Sequence, residues 1–201
     1  MEPDFTFERA AHDRGFLRVA GVDEVGRGPL AGPVTAAAVV LDPARIPDGL
    51  RDSKKLTRRG RERLYHQIKE VADVSIAHAS VQEIDTINIL RASHLAMERA
   101  IAGLKTPADY ALIDGNMLPR NLALPAAAIV KGDTRSQSIA AASIMAKICR
   151  DYVMLSLAQQ HPGYGWETNA GYGSKSHMDA LRNLGPTPHH RRSFKPVHNM
   201  L

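Results

Sequence analysis

Four carboxylates stand where apolar runs end. Asp23 and Glu24 close FLRVAGVDE (16–24), Asp114 closes the ALID of DYALIDGN (109–116), and Asp133 closes AAAIVKGD (126–133). A short apolar run bounded by turn residues reads as a buried strand, and in an open α/β sheet ligands bind at strand ends. A carboxylate there is costly unless something neutralises it. Clustered carboxylates repel one another unless a proton or a cation lies between them. An all-oxygen donor set without His or Cys favours Mg2+ or Mn2+ over Zn2+. Such a set suits two-metal phosphodiester chemistry, in which one cation activates a water and the other stabilises the leaving oxygen. A single Asp after a strand is more often a turn or cap residue. Four at equivalent ends, in a chain with basic flanks, make coincidence the weaker reading.

Two glycine-rich segments could present a substrate to these acids. Gly26-Arg27-Gly28 follows the first acid pair directly; glycines let backbone amides approach a ligand closely, and Arg27 could reach a phosphate or a sugar. A tight link between two strands explains the same residues. The dinucleotide fingerprint fails here, because three residues precede the last glycine of GRGPLAG and a strand follows, and no GxxxxGK[ST] loop occurs. In Gly171-Tyr172-Gly173-Ser174-Lys175, Tyr172 offers a flat ring for stacking and a hydroxyl. Ser174 and Lys175 could meet phosphate at a helix start, although a plain cap explains Ser174 equally well. Tyr164 and Trp166 read as packing residues, and Asp151 as a structural acid with partners on its own helix.

The elements that must hold these residues follow from periodicity. Strands are expected over 16–24 and 34–42 as a hairpin, then 73–81, 109–116 and 126–133. Helices are expected over 56–72, 88–104 and 136–161, with a short one over SKSHMDALRNL stopped by Gly185 and Pro186. Strands early and helices late imply a mixed α/β sheet flanked by helices.

Composition narrows the classes. With 201 residues, 44% hydrophobic and 23% charged, one ordinary folded domain is expected. The lone Cys149 excludes an internal disulfide and a thiolate zinc site, and makes a reducing, cytoplasmic setting the expectation. The nine histidines show no HExxH spacing. No run approaches the ~20 apolar residues of a membrane span, and the N-terminus lacks the order of a signal peptide. Net charge is +5, and it is unevenly spread. Residues 51–70 are basic, and the C-terminal PTPHHRRSFKPVHNML carries Arg191, Arg192 and Lys195 with no acid. Two basic zones around a less basic middle are what a polyanion-binding surface looks like in sequence.

Taken together, GVDEVGRGPLAGPV (21–34), DSKKL (52–56), EIDTINILRAS (83–93), LIDGN (112–116), VKGD (130–133), SIAAASIMAKICRD (138–151), GYGSKSH (171–177) and HRRSFKPV (190–197) closely resemble bacterial ribonuclease HII, in family order and over nearly the whole chain. The resemblance implies a ribonuclease H-like fold with a five-stranded mixed β-sheet flanked by α-helices. It would fill 1–201 as a single catalytic domain with a short basic C-terminal tail. It implies a metal-dependent endonuclease, using Mn2+ or Mg2+, that cuts the RNA strand of RNA/DNA hybrids. It also implies cutting 5′ of single ribonucleotides in duplex DNA, leaving 3′-hydroxyl and 5′-phosphate ends. By matching motif, Asp23, Glu24, Asp114 and Asp133 are the expected catalytic and metal-holding carboxylates. Gly26, Arg27 and Gly28 are expected to read the ribose 2′-hydroxyl, the handle that separates RNA from DNA. Tyr172 is expected to sense the junction by stacking on the following sugar, and Lys54 to contact phosphate. A monomer is expected, with no membrane contact and with any replication or repair partner unspecified. The rival from another class is a non-catalytic nucleic-acid-binding module using the basic zones alone. The sister ribonuclease HIII carries a sizeable N-terminal substrate-binding domain, for which the 22 residues before Asp23 leave no room.

Overall fold

The structure, a computed structural model, describes residues 2–200; Met1 and Leu201, the ends of the expected 1–201 span, lie outside the described residues. Five strands form one mixed sheet: β1 (Val19–Val25), β2 (Val34–Val40), β3 (Asp73–Ala79), β4 (Tyr110–Asp114) and β5 (Ala126–Ile129), in the spatial order β3-β2-β1-β4-β5. The β1–β2 and β2–β3 pairs are antiparallel; β1–β4 and β4–β5 are parallel. The helices are α1 (Thr6–Asp13), α2 (Arg58–Val71), α3 (Val81–Ile87), α4 (Ile89–Ala102), α5 (Gln137–Gln160), α6 (Trp166–Asn169), α7 (Lys175–Leu184) and α8 (Lys195–His198). The expected mixed sheet with flanking helices is what forms.

The two faces of the sheet follow the period-2 alternation of strands. On β2, Val34, Ala36, Ala38 and Val40 pack with Ala92, Ala96, Met97 and Ala100 of α4. Ala37 and Val39 pack the other way, with Leu64 and Ile68 of α2 and Ala141, Ile144 and Met145 of α5. Because both faces are covered, β2 reads as a continuous apolar run, and its alanines let helices approach closely from each side. Gly21 in β1 takes this furthest. A Cβ there would overlap the backbone of Ser138 and Ile139, so glycine is what allows the first turn of α5 to lie against the central strand. Glu8 of α1, fully buried, accepts from the Ser136 hydroxyl at 2.6 Å and the Ser138 amide at 2.9 Å, pinning the same turn.

Three expectations change in detail. The third strand ends at Ala79, because Ser80 and Glu83 form a capping box that starts α3; the S-x-x-E spacing is its sequence mark. The fifth strand ends at Ile129 rather than at 133. Lys131 is left-handed (φ 55°), and Gly132–Thr134 form a 3-10 turn, so Asp133 lies on that turn and not at a strand end. The turn is forced because the Gly132 amide donates to Asp114 Oδ1 at 2.6 Å, and a Cβ at Gly132 would meet Ile139 and Asp114. The C-terminal segment is no loose basic tail. His190 and Val197 are buried, Arg191 is 0% exposed, and the amides of Arg192 and Ser193 donate to Asp85.

Candidate active site

The parallel pairing of β1 and β4 ends with Val22 beside Ile113. The next residues on each strand are Asp23 and Asp114, so the register itself sets two carboxylates side by side. One carboxylate oxygen each from Asp23, Glu24 and Asp114 lies within 4.8 Å of the other two. Asp133 stands outside that triad but next to it. It follows Gly132, whose amide holds Asp114, and its charge acts on Asp23 as Asp114's acts on it. Of the four expected acids, the fold therefore brings three together and sets the fourth at their flank.

The electrostatics are those of a site built for positive charge. Burial, reinforced by Glu24, Asp114 and Asp133, pushes the Asp23 carboxyl well above the usual carboxylate range. Burial also raises Glu24, opposed by the Arg27 guanidinium 3.3 Å from Oε1. Burial together with Asp114 and Asp52 raises Asp133, while Lys54 and Lys55 pull it down. Lys54, exposed on the 3-10 turn Ser53–Lys55, is thereby within electrostatic reach of the centre. Glu24 Oε2 is buried and has no hydrogen-bond partner among the described residues. An orphaned carboxylate oxygen of this kind needs a cation or a solvent shell, and an all-oxygen donor set of Asp and Glu fits a hard divalent ion.

Beside the acids lies the glycine segment. Gly26 has φ +91°, and a Cβ there would run into the Arg150 guanidinium. Gly28 faces the ring of Tyr172: a Cβ at Gly28 would sit 3.4 Å from the Tyr172 Cε1. The two segments that sequence reading treated separately are thus one wall, with the Tyr172 ring about half exposed along it (49%).

Two buried arginines hold this wall. Arg191 donates to the carbonyls of Gly26 (2.6 Å), Arg27 (2.9 Å) and Gly32 (3.0 Å). Arg150, 1% exposed, donates to Ala31 (3.1 Å), Pro33 (3.0 Å) and Ala170 (3.0 Å). Burial lowers their pKa to about 9 and about 10, so both stay cationic at neutral pH. With the Gly26 and Arg27 carbonyls occupied, the amides of Gly26, Arg27 and Gly28, which bond to nothing among the described residues, are what the turn has left for a ligand. Arg191 had been counted in a basic surface zone; its burial removes it from any such surface. Arg51 and Arg58 are paired with Glu2 and Glu62, and Arg61 donates to the Ser53 and Leu56 carbonyls, so the other zone is partly structural too.

The expected packing, pairing and capping roles of four further residues hold. Tyr164 and Trp166 are buried and stacked at 5.1 Å. Asp151 pairs with Lys147 of its own helix at 2.6 Å. Ser174 caps α7, and Lys175 pairs with Asp179 on the surface. Among the described residues no helix is long and apolar enough to cross a membrane.

A family model described as Ribonuclease HII matches residues 20–197. A ribonuclease HII from Cereibacter sphaeroides is 68% identical over 199 residues, covering 99% of this chain and 94% of that one. One from Ruegeria pomeroyi is 66% identical over 200 residues, covering 100% and 86%. Among solved structures, the ribonuclease H2 from Pyrococcus horikoshii OT3 superposes with a TM-score of 0.76 at 26% identity, covering 92% of this chain and 97% of that one. The RNase HII of a PCNA complex from Archaeoglobus fulgidus gives 0.74 at 26%, covering 89% and 96%. Bst-RNase HIII in complex with Mn2+ gives 0.76 at 19%, covering 95% and 71%, a likeness of fold alone.

Proposed function

The chain belongs to the ribonuclease HII family, and on that premise we propose that Asp23, Glu24, Asp114 and Asp133 are the carboxylates of its phosphodiester-cleaving centre. The protein is a ribonuclease H-type endonuclease acting on RNA/DNA hybrids. The observation that carries the site assignment is the acid triad at the β1 and β4 ends, with Glu24 Oε2 buried and unpartnered among the described residues. These residues fit divalent metal, which we take to be Mn2+ or Mg2+. Bound there, such an ion supplies a lowered pKa to water and positive charge for the leaving oxygen.

The chain's own groups do the rest. Asp114 is oriented by the Gly132 amide, and Asp23 by the Glu24 amide at 2.7 Å. Arg27 balances Glu24 and is half exposed, placed to meet a phosphate entering the groove. The amides of Arg27 and Gly28 are donors suited to a ribose 2′-hydroxyl. A deoxyribose leaves them unmet, which is how a polar site discriminates against the analogue lacking the group. Tyr172, lying along Gly28, stacks on the sugar that follows, so that a single ribonucleotide in duplex DNA is cut on its 5′ side. Lys54 meets a flanking phosphate. A monomeric, cytoplasmic catalytic domain without membrane anchorage completes the reading.

The test is cleavage of a duplex carrying one ribonucleotide by Asp114→Asn, with Mn2+ and Mg2+ titrated separately and the cut end mapped. Loss of cutting with an unchanged circular dichroism spectrum is expected; full activity would falsify the assignment. Retained duplex binding that ignores both metal and the 2′-hydroxyl in the unmutated protein would favour a binding module instead.

A further inference from the structure

Behind Tyr172 lies a buried chain of aromatic side chains in which every proton position is determined. His190 Nδ1 is 2.9 Å from the Thr187 amide nitrogen and 3.0 Å from its hydroxyl. An amide can only donate, so Nδ1 is bare, and a neutral His190 carries its proton on Nε2. That Nε2 lies 3.1 Å from His177 Nε2. The indole Nε1 of Trp166, also a pure donor, lies 3.0 Å from the same nitrogen. His177 Nε2 therefore accepts from both, and the His177 proton sits on Nδ1, 2.8 Å from the Tyr172 carbonyl oxygen. Direction runs one way, from Thr187 through His190 and His177 to Tyr172.

A charged form of either ring fits badly. A proton on His190 Nδ1 would face the Thr187 amide, and one on His177 Nε2 would face two donors. Both rings are at most 1% exposed, and no carboxylate hydrogen-bonds to either. The end of the chain is where it matters. The Tyr172 carbonyl also accepts from the Ser174 amide at 2.8 Å, and the Tyr172 amide donates to Asn169 at 2.9 Å. With its backbone clamped on both sides, the exposed ring is left only its own side-chain torsions along Gly28.

We propose that Thr187, His190, Trp166 and His177 form a neutral, directional hydrogen-bond relay that fixes the Tyr172 backbone, and that His177 and His190 are positioning residues for ribonucleotide discrimination. This rests on the junction-reading role of Tyr172 given above. The relay fixes the junction reader without touching substrate, and it explains why polar rings are tolerated in the apolar cluster of Tyr164, Trp166 and Ala180.

The experiment compares His177→Asn, His177→Gln and Tyr172→Ala. An Asn amide nitrogen falls near the Nδ1 position and can donate to the Tyr172 carbonyl; a Gln amide reaches the Nε2 position and leaves that carbonyl with the Ser174 amide as its one donor. The readout is the ratio of kcat/KM on a single-ribonucleotide duplex to kcat/KM on a continuous RNA/DNA hybrid. Emission of Trp166, the single tryptophan of the chain, reports the relay itself. His177→Gln is expected to lower the ratio roughly fivefold, toward Tyr172→Ala, and His177→Asn to keep it within about twofold, since one hydrogen bond is worth about 1 kcal/mol. A normal ratio in Tyr172→Ala overturns the reading of Tyr172. A low ratio there with normal ratios in both His177 variants overturns the relay alone, as do equal losses in both. Should the variants not fold, 15N spectra of the unmutated protein decide: His177 must be the Nδ1–H tautomer and His190 the Nε2–H tautomer, and the opposite pair refutes the chain.

Discussion

Arg191 is the residue whose removal the fold should feel most sharply. Its guanidinium is 0% exposed and meets no carboxylate; it is satisfied by three carbonyls, those of Gly26, Arg27 and Gly32, and lies 5.0 Å from the Phe194 ring centroid. Arg191→Met keeps much of the volume and removes the donors. Hydrogen bonds to a charged group are worth ~1.5–3 kcal/mol each, and the guanidinium's own desolvation offsets part of their sum. A buried carbonyl that loses its donor costs ~1–3 kcal/mol in general. We expect a net loss of about 4 kcal/mol by urea titration with linear extrapolation. For a chain of this length, at ~2–4 °C per kcal/mol, that is a fall of roughly 8–16 °C in Tm. Arg191→Lys should recover only part of it, because one ammonium cannot span three divergent carbonyls. Below both midpoints, cleavage at a single ribonucleotide should still be slowed more than tenfold, because the turn that presents the Arg27 and Gly28 amides has lost its anchor. A Met variant within about 1 kcal/mol of the parent would refute the assignment of Arg191 as the anchor.

Three further outcomes are expected. Asp23→Asn should raise the Tm of the metal-free protein, because burial and three neighbouring carboxylates disfavour the charged form. It should also abolish the Tm rise that Mn2+ or Mg2+ gives the parent by binding the folded state; an undiminished metal shift in the variant contradicts the site. Acid should loosen the relay: burial, reinforced by His177, His189 and His161, lowers His190 to about 4 from an ordinary 6.5. The unfolded chain then binds a proton that the native one refuses, so stability is intact above pH 6.5 and drains away down to about pH 4. That amounts to roughly 2–3 kcal/mol at pH 4.5, and a His190→Asn variant with the same urea-measured pH slope would show the histidine is not responsible. Gly21→Ala should cost ~3 kcal/mol or more, since its methyl would overlap the α5 backbone; a soluble variant with the parent's urea midpoint would contradict the close approach of helix and strand.

How much of this was legible in the residues can be argued element by element. The strands were, because β1, β2 and β4 are apolar runs, and the acids stand near the ends of β1 and β4. The acids were legible as a set because strand ends in a parallel pair converge whatever the loops do, as the Val22–Ile113 register shows. The α3 start was written in Ser80 and Glu83 and went unread. Asp133 was read at or just past the end of a strand over 126–133, because AIVKGD carries no local sign of a left-handed Lys131; the Gly132 amide of that turn is held by Asp114, from a distant segment. Arg150, Arg191, His177 and His190 were illegible for a stronger reason. Their type says surface or solvent, and what buries them is a set of backbone carbonyls and ring nitrogens from distant segments. No periodicity marks such a contact. The glycines came nearest to showing it, since Gly26 is empty where Arg150 must pass.

The use made of these charges bears on how the site works. Two buried cations hold the glycine segment that follows Asp23 and Glu24, and among the described residues they pair with no acid: all six hydrogen bonds of Arg150 and Arg191 go to carbonyls. Only Arg27, half exposed, leans on Glu24. Had either buried arginine turned to Asp23, the acid would be neutralised within the protein, its pKa depressed, and its affinity for an external cation lost. Carbonyl pairing keeps the guanidinium charge satisfied as dipole contacts while leaving the carboxylates short of positive charge. The same two arginines thus stiffen the wall that meets the ribose and preserve the deficit that a divalent ion fills, so ribonucleotide reading and metal affinity depend on a single packing solution. It follows that Arg150→Met should lower both, and that a variant losing only one would separate two functions that the fold holds together.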